Sequence, residues 1–76
     1  MLQILVFGQL TDVFGKSEIN LDFVPKVIDI KSSLIQSYPA LKEKTYVVAV
    51  NNKVVDDQTE INDGSTIALL PPFSGG

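Results

Sequence analysis

Residues 2–8 read LQILVFG, and their alternation settles what kind of sheet this chain can build. Leu2, Ile4 and Val6 fall on one side of an extended strand and Gln3, Leu5 and Phe7 on the other, so both sides are largely apolar. A strand that is apolar on both faces belongs at the centre of a sheet. One other run has the same character, 65-STIALL-70, near the far end of the 76-residue chain. The first and last strands are therefore expected to lie side by side, with the intervening chain wrapped around that pair.

Outward from this pair, Gly8 releases the chain into 9-QLTDVFG-15, one helical turn or a loop closed by Gly15. The run 18-EINLDF-23 alternates cleanly, with Ile19, Leu21 and Phe23 against Glu18, Asn20 and Asp22, as a strand with one wet face does. Val24-Pro25 breaks it. A helix over 26–38 follows, stopped by Pro39. Val27, Ile30, Leu34 and Tyr38 lie at helical spacing, and Ile28 and Ile35 widen the stripe. No Ser, Thr or Asp caps the start of this helix. Lys31 falls inside the apolar arc and is expected to snorkel past it.

The run 46-YVVAVNN-52 is a strand leading into the turn Asn51-Asn52-Lys53, after which Val54-Val55 resumes a short strand. The stretch 56-DDQTEINDG-64 is polar and loop-like, with Asp63-Gly64 as a tight turn. Asp56-Asp57 reads as solvated loop rather than a metal site, and Lys31 and Lys53 as solubilising charges. One helix and one sheet, each with a stripe to bury, must cover each other. The element order predicts an α+β fold of β-grasp (ubiquitin-like) type, a mixed sheet of about five strands covered on one face by one main helix. Residues 1–70 are expected to form the domain and residues 71–76 a flexible tail. If Val6, Ile67 and Leu69 face the helix, then Leu5, Phe7, Ala68 and Leu70 share the opposite face. Four apolar side chains on adjacent central strands, continuous with Phe73, read as a docking patch.

Composition excludes much chemistry. There is no Cys and no His, so no thiolate or imidazole is present to act as nucleophile, base or metal ligand. Every positive charge is a Lys, and six of them against nine acids leave a net charge of -3. A nucleic-acid footprint needs a basic face, so no nucleic-acid partner is expected. The apolar runs are too short to span a bilayer, no signal-peptide pattern opens the chain, and a cytoplasmic, reducing setting is the expectation. The end of the sequence, 69-LLPPFSGG-76, joins a strand to a stiff Pro71-Pro72 and then to Gly75-Gly76, which have no side chains. From Thr66 onward no side chain is charged, which leaves the carboxylate of Gly76 as the one charged group near the tip.

Three stretches, 4-ILVFGQL-10 with Gly15 after it, 48-VAVNN-52 and above all 63-DGSTIALLPPFSGG-76, resemble the ubiquitin-like sulfur carriers, nearest the small subunit of molybdopterin synthase, the MoaD group. The resemblance covers essentially the whole chain. It implies that an adenylating partner of the MoeB (E1-like) type uses ATP to activate Gly76. A sulfur donor then converts it to a thiocarboxylate, and a MoaE-like large subunit uses that sulfur to build molybdopterin from cyclic pyranopterin monophosphate. It implies no cofactor bound to this chain, no catalysis by the chain alone, a monomer when free and a heterotetramer with the large subunit. Gly76 and Gly75 would be the reactive end, and Leu5, Phe7, Ala68, Leu70, Pro71, Pro72, Phe73 and Ser74 the partner contacts. Thr11 stands where many such carriers have a basic residue. A thiamine-pathway sulfur carrier, a ubiquitin-like protein modifier and an interaction module with an irrelevant tail are the competing readings. Gly75→Val adds a branched Cβ where a bare backbone must thread a tunnel. It is expected to abolish sulfur transfer while leaving the thermal unfolding midpoint unchanged; normal transfer by that variant would refute the tail reading.

Overall fold

The computed structural model describes residues 1–72. Its centre is β1 (Leu2–Val6) paired in parallel with β5 (Thr66–Leu70), Gln3 opposite Thr66 and Val6 opposite Leu69. On its other side β1 pairs antiparallel with β2 (Glu18–Leu21), and β5 pairs antiparallel with β3 (Val47–Val50), which in turn pairs with β4 (Lys53–Val55). The sheet order is β2-β1-β5-β3-β4, with the two doubly apolar strands at its heart as their pattern requires. No helix among the described residues is long and apolar enough to cross a membrane.

One face of this sheet is sealed. Leu2, Ile4, Val6, Val48, Ile67 and Leu69 are buried against Val27, Ile30 and Leu34. The last three project from one helix, Val27–Ser37, which we label α2 because a single turn, α1 (Thr11–Phe14), precedes it. Each such Leu or Ile contributes about 1.5–3 kcal/mol by leaving water. Gly15 closes α1 in the left-handed conformation at φ 73°. The turn is more than a connector, because Leu10 and Phe14 are buried and the Phe14 ring meets the Tyr38 ring edge-on at 4.6 Å. The short 3-10 helix Pro39–Glu43 adds Leu41 to the core.

Several local expectations change. β2 ends at Leu21, and Phe23 is exposed rather than inward. Ile28 is also exposed, so the buried stripe of α2 is narrower than its sequence suggests. The helix has no side-chain cap, and the reason lies in the 56–61 loop. The N–H groups of Val27 and Ile28 donate to the carbonyls of Thr59 and Asp57 at 3.1 and 3.0 Å, satisfying donors that a Ser or Asp would otherwise take. Ile61 N–H returns a bond of 2.8 Å to the Pro25 carbonyl, and its side chain is buried in the core.

This loop is organised rather than merely solvated. Asp56 Oδ1 accepts bonds from Gln58 N–H and the Thr59 hydroxyl. Asp57 pairs with Lys31, which lies 5.4 Å over the Tyr46 ring. Lys31 is thus part of a fastening between α2, the loop and the start of β3. Partial burial, and secondarily the Asp57 carboxylate, push the Tyr46 phenol above its usual pKa. Replacing Ile61 by Ala should cost about 2–4 kcal/mol, as for other buried Ile or Leu truncations. Urea unfolding checks this; a loss below about 1 kcal/mol would mean that the loop is not part of the cooperative unit.

Candidate functional site

Strand alternation leaves the second face of the sheet without a covering element among the described residues. On it the register sets Leu5 opposite Ala68, Ala68 opposite Ala49, Ala49 opposite Val54, and Leu70 opposite Val47. Two alanines at the centre, flanked by larger side chains, make a shallow groove rather than a flat surface. Leu5, Phe7, Ala68 and Leu70, the four patch residues expected from sequence, all line it. Leu5, Ala68 and Leu70 are half-buried, and Phe7 is 44% exposed although it belongs to a central part of the fold.

Sequence reasoning missed the far wall, formed by Ala49 and Val54, and the polar end, formed by Asn52 and Thr66. A signal existed in the small residue within 47-VVAV-50, but its use requires knowing that β3 lies beside β5. Val54 is 53% exposed on the edge strand, a larger exposure than solvent alone favours for Val. Asn51 and Asn52 both hold positive φ, 50° and 72°, as a two-residue hairpin turn demands. Asn51 also locks the polar end of the groove: its N–H donates to the Thr66 carbonyl at 2.9 Å, and its Oδ1 accepts from Thr66 N–H at 3.0 Å.

The β2 side of the face is polar. Glu18 stands opposite Leu5 and accepts a 2.8 Å bond from the Gln3 amide. Among the described residues no group of His, Cys, Asp or Glu side chains could hold a metal ion. Chain geometry at the exit is specific. Leu70 ends the ladder with β3, and the next two residues, Pro71 and Pro72, have no N–H with which to extend it. Pro71 is half-buried and Pro72 exposed, so the chain leaves the sheet at the rim of the groove. Phe73, Ser74, Gly75 and Gly76 lie outside the described residues.

A five-stranded sheet of this order, one helix on its inner face and an open outer face make the protein a ubiquitin-like β-grasp domain. The ThiS family model matches residues 4–76. Over 99% of this chain and 96% of the relative, the sequence is 34% identical to a Caenorhabditis elegans protein named molybdopterin synthase sulfur carrier subunit. The solution structure of small archaeal modifier protein 1 from Methanosarcina acetivorans superposes with a TM-score of 0.83 at 27% identity, covering 99% of this chain and 95% of that one. One chain of the complex of subunits 1 and 2 of the molybdopterin-converting factor from Helicobacter pylori superposes with a TM-score of 0.71 at 24% identity, covering 99% and 97%. The chain belongs to the ThiS family, among the molybdopterin synthase sulfur carrier subunits.

The two faces can be told apart by substitution. Leu70→Asp and Phe7→Asp place a carboxylate where water can reach it, and circular dichroism and the melting midpoint should stay close to those of the unaltered chain. Leu69→Asp, one residue away, buries the charge in the core and should unfold the domain. Unfolding of both Leu70→Asp and Phe7→Asp would reverse the assignment of faces.

Proposed function

We propose that this chain is the sulfur carrier subunit of a molybdopterin synthase and that the carboxylate of Gly76 is the group that carries the sulfur. One observation carries the reading: β5 supplies Ala68 and Leu70 to the groove and then runs directly into Pro71-Pro72. A partner seated on the face therefore meets the start of the carboxy-terminal segment. The kinship over nearly the full length with relatives named sulfur carrier subunits supports the same reading, as does the family match reaching residue 76.

The chemistry needs no side-chain nucleophile here. The Gly76 carboxylate attacks the α-phosphorus of ATP in an E1-like, MoeB-type partner, releasing pyrophosphate and forming the acyl-adenylate. A sulfur nucleophile at the sulfide level then attacks the acyl carbon and expels AMP, leaving the thiocarboxylate. The MoaE-like large subunit uses that sulfur on cyclic pyranopterin monophosphate and returns the carboxylate. With no Cys in the chain, sulfur cannot be stored here as a persulfide. ATP belongs to the activating partner, and the setting is cytoplasmic. The free chain is a monomer whose open face is covered in a heterotetramer with two large subunits.

Reconstitution tests this. Purified chain with a carboxy-terminal Gly76 should gain, after incubation with the activating enzyme, ATP and a sulfur source, the mass of one oxygen replaced by sulfur. With the large subunit and cyclic pyranopterin monophosphate it should then yield molybdopterin. Leu70→Asp should bind the large subunit at least about a hundredfold more weakly, because an apolar interface would bury an unpaired carboxylate. No molybdopterin, with thiazole formed in a thiamine-pathway assay, would leave only the sulfur-carrier class. The archaeal neighbour is named a modifier protein; ATP-dependent higher-mass bands on a denaturing gel of cell extract would favour that second reading.

A further inference from the structure

The turn after β1 is built around Gly8. Leu10 N–H donates to the Phe7 carbonyl at 3.3 Å, and Gly8 between them has φ 61°. Phe7 N–H donates to the Leu69 carbonyl at 3.1 Å, carrying the β1–β5 ladder one step past Val6. The Thr11 hydroxyl donates to the Gly8 carbonyl at 2.9 Å and holds the turn from the other side. Pro71 rests on the bare Cα of Gly8. A Cβ there would stand 2.6 Å from Pro71 Cγ and 3.5 Å from its Cδ. Gly15 and Gly64 also have positive φ, yet a Cβ on either would meet open space. The contact with Pro71 is therefore particular to Gly8, and two separate features, dihedral and proline ring, demand glycine there.

We infer that Gly8 is a positioning residue: its turn is the seat for Pro71, and this seat sets the direction in which the chain leaves the docking groove. The inference rests on the sulfur-carrier reading above. Pro71 has no N–H to donate, and among the described residues no backbone N–H donates to its carbonyl, so packing against Gly8 is what fixes it. Phe7, next to Gly8, lines the groove. Docking face and seat are thus one piece of backbone, and a partner gripping Phe7, Leu5 and Leu70 finds the chain exit at a set place. Delivery of a reacting group is sensitive to such placement, since a displacement of about 1 Å can lower a rate about a hundredfold. Thr11 acts through Gly8 by clamping its carbonyl, which gives this residue an internal role.

The test uses the full chain, thiocarboxylated and assayed in the reconstituted synthase. Gly8→Ala should keep affinity for the large subunit within about twofold and lower turnover at saturation about tenfold. In a Pro71→Ala background Cγ and Cδ are gone, and the remaining Cβ stands 3.9 Å from the new methyl. There the same change should cost clearly less, about threefold or below, with only the strain of an Ala at φ 61° remaining, the non-additivity expected of a direct contact. Equal losses in both backgrounds, a loss of affinity in place of turnover, or unchanged turnover would each overturn the inference. If Gly8→Ala fails to fold, Thr11→Val probes the seat without a new Cβ. It should lower turnover with affinity kept, and Thr11→Ser should restore it; unchanged turnover in Thr11→Val would overturn the inference. An unaltered chain that transfers no sulfur would instead sink the carrier reading, and this inference with it.

Discussion

The parallel pairing of β1 with β5 is the constraint on which the rest of the structure depends. It joins the two ends of the described chain, Gln3 to Thr66 and Val6 to Leu69. A parallel pair cannot be closed by a tight turn and needs a crossover, and here the crossover contains α2. The helix then lies on the face where Ile4, Val6, Ile67 and Leu69 point, joined in that core by Leu10, Phe14, Leu41 and Ile61. β2 and β3–β4 are hairpin extensions on either side of the pair. Such non-local pairing forms against a large loop-closure entropy, so the exit of the chain past Leu70 is defined only once the whole domain is assembled.

Much of this was legible from period-2 alternation in 2–8, 18–23 and 65–70, together with helical spacing between Val27 and Leu34. These signals are local and strong. The features that escaped reading are all consequences of contact between distant segments. The missing helix cap was visible, but its replacement by the carbonyls of Asp57 and Thr59 depends on where the 56–61 loop folds back. Ile61 looked like one apolar residue in a polar loop, and only docking onto the helix start makes it core. Phe23 continued the alternation of β2 but follows the strand's end, so periodicity placed it inward although nothing there covers it. The site shows the same division. One wall of the groove lies on β1 and β5 and was readable; the other lies on β3 and β4 and needed the sheet order.

A single alternating pattern therefore builds both the core and the groove. On β1 the residues Leu2, Ile4 and Val6 hold the fold, while Leu5 within the strand and Phe7 just past its end line the groove. On β5 Ile67 and Leu69 hold it, while Ala68 and Leu70 form the groove. Because side chains alternate with a period of two, a slip of one residue would exchange the two sets completely. A slip would also drive Gln3 and Thr66 into the core in exchange for Ile4 and Ile67, so burial of one face favours the observed register. Hydrogen bonds and shape at the ends of the strands add to that specification. At one end Asn51 adds to it by taking both backbone groups of Thr66, which fixes β5 against β3. At the other end the Phe7–Leu69 bond and the packing of Pro71 on Gly8 add to it. The residues proposed to aim the chain exit, Gly8 and Pro71, thus also help to keep Leu5, Phe7, Ala68 and Leu70 facing out, so one turn couples the register of the central pair to the path of the chain beyond it.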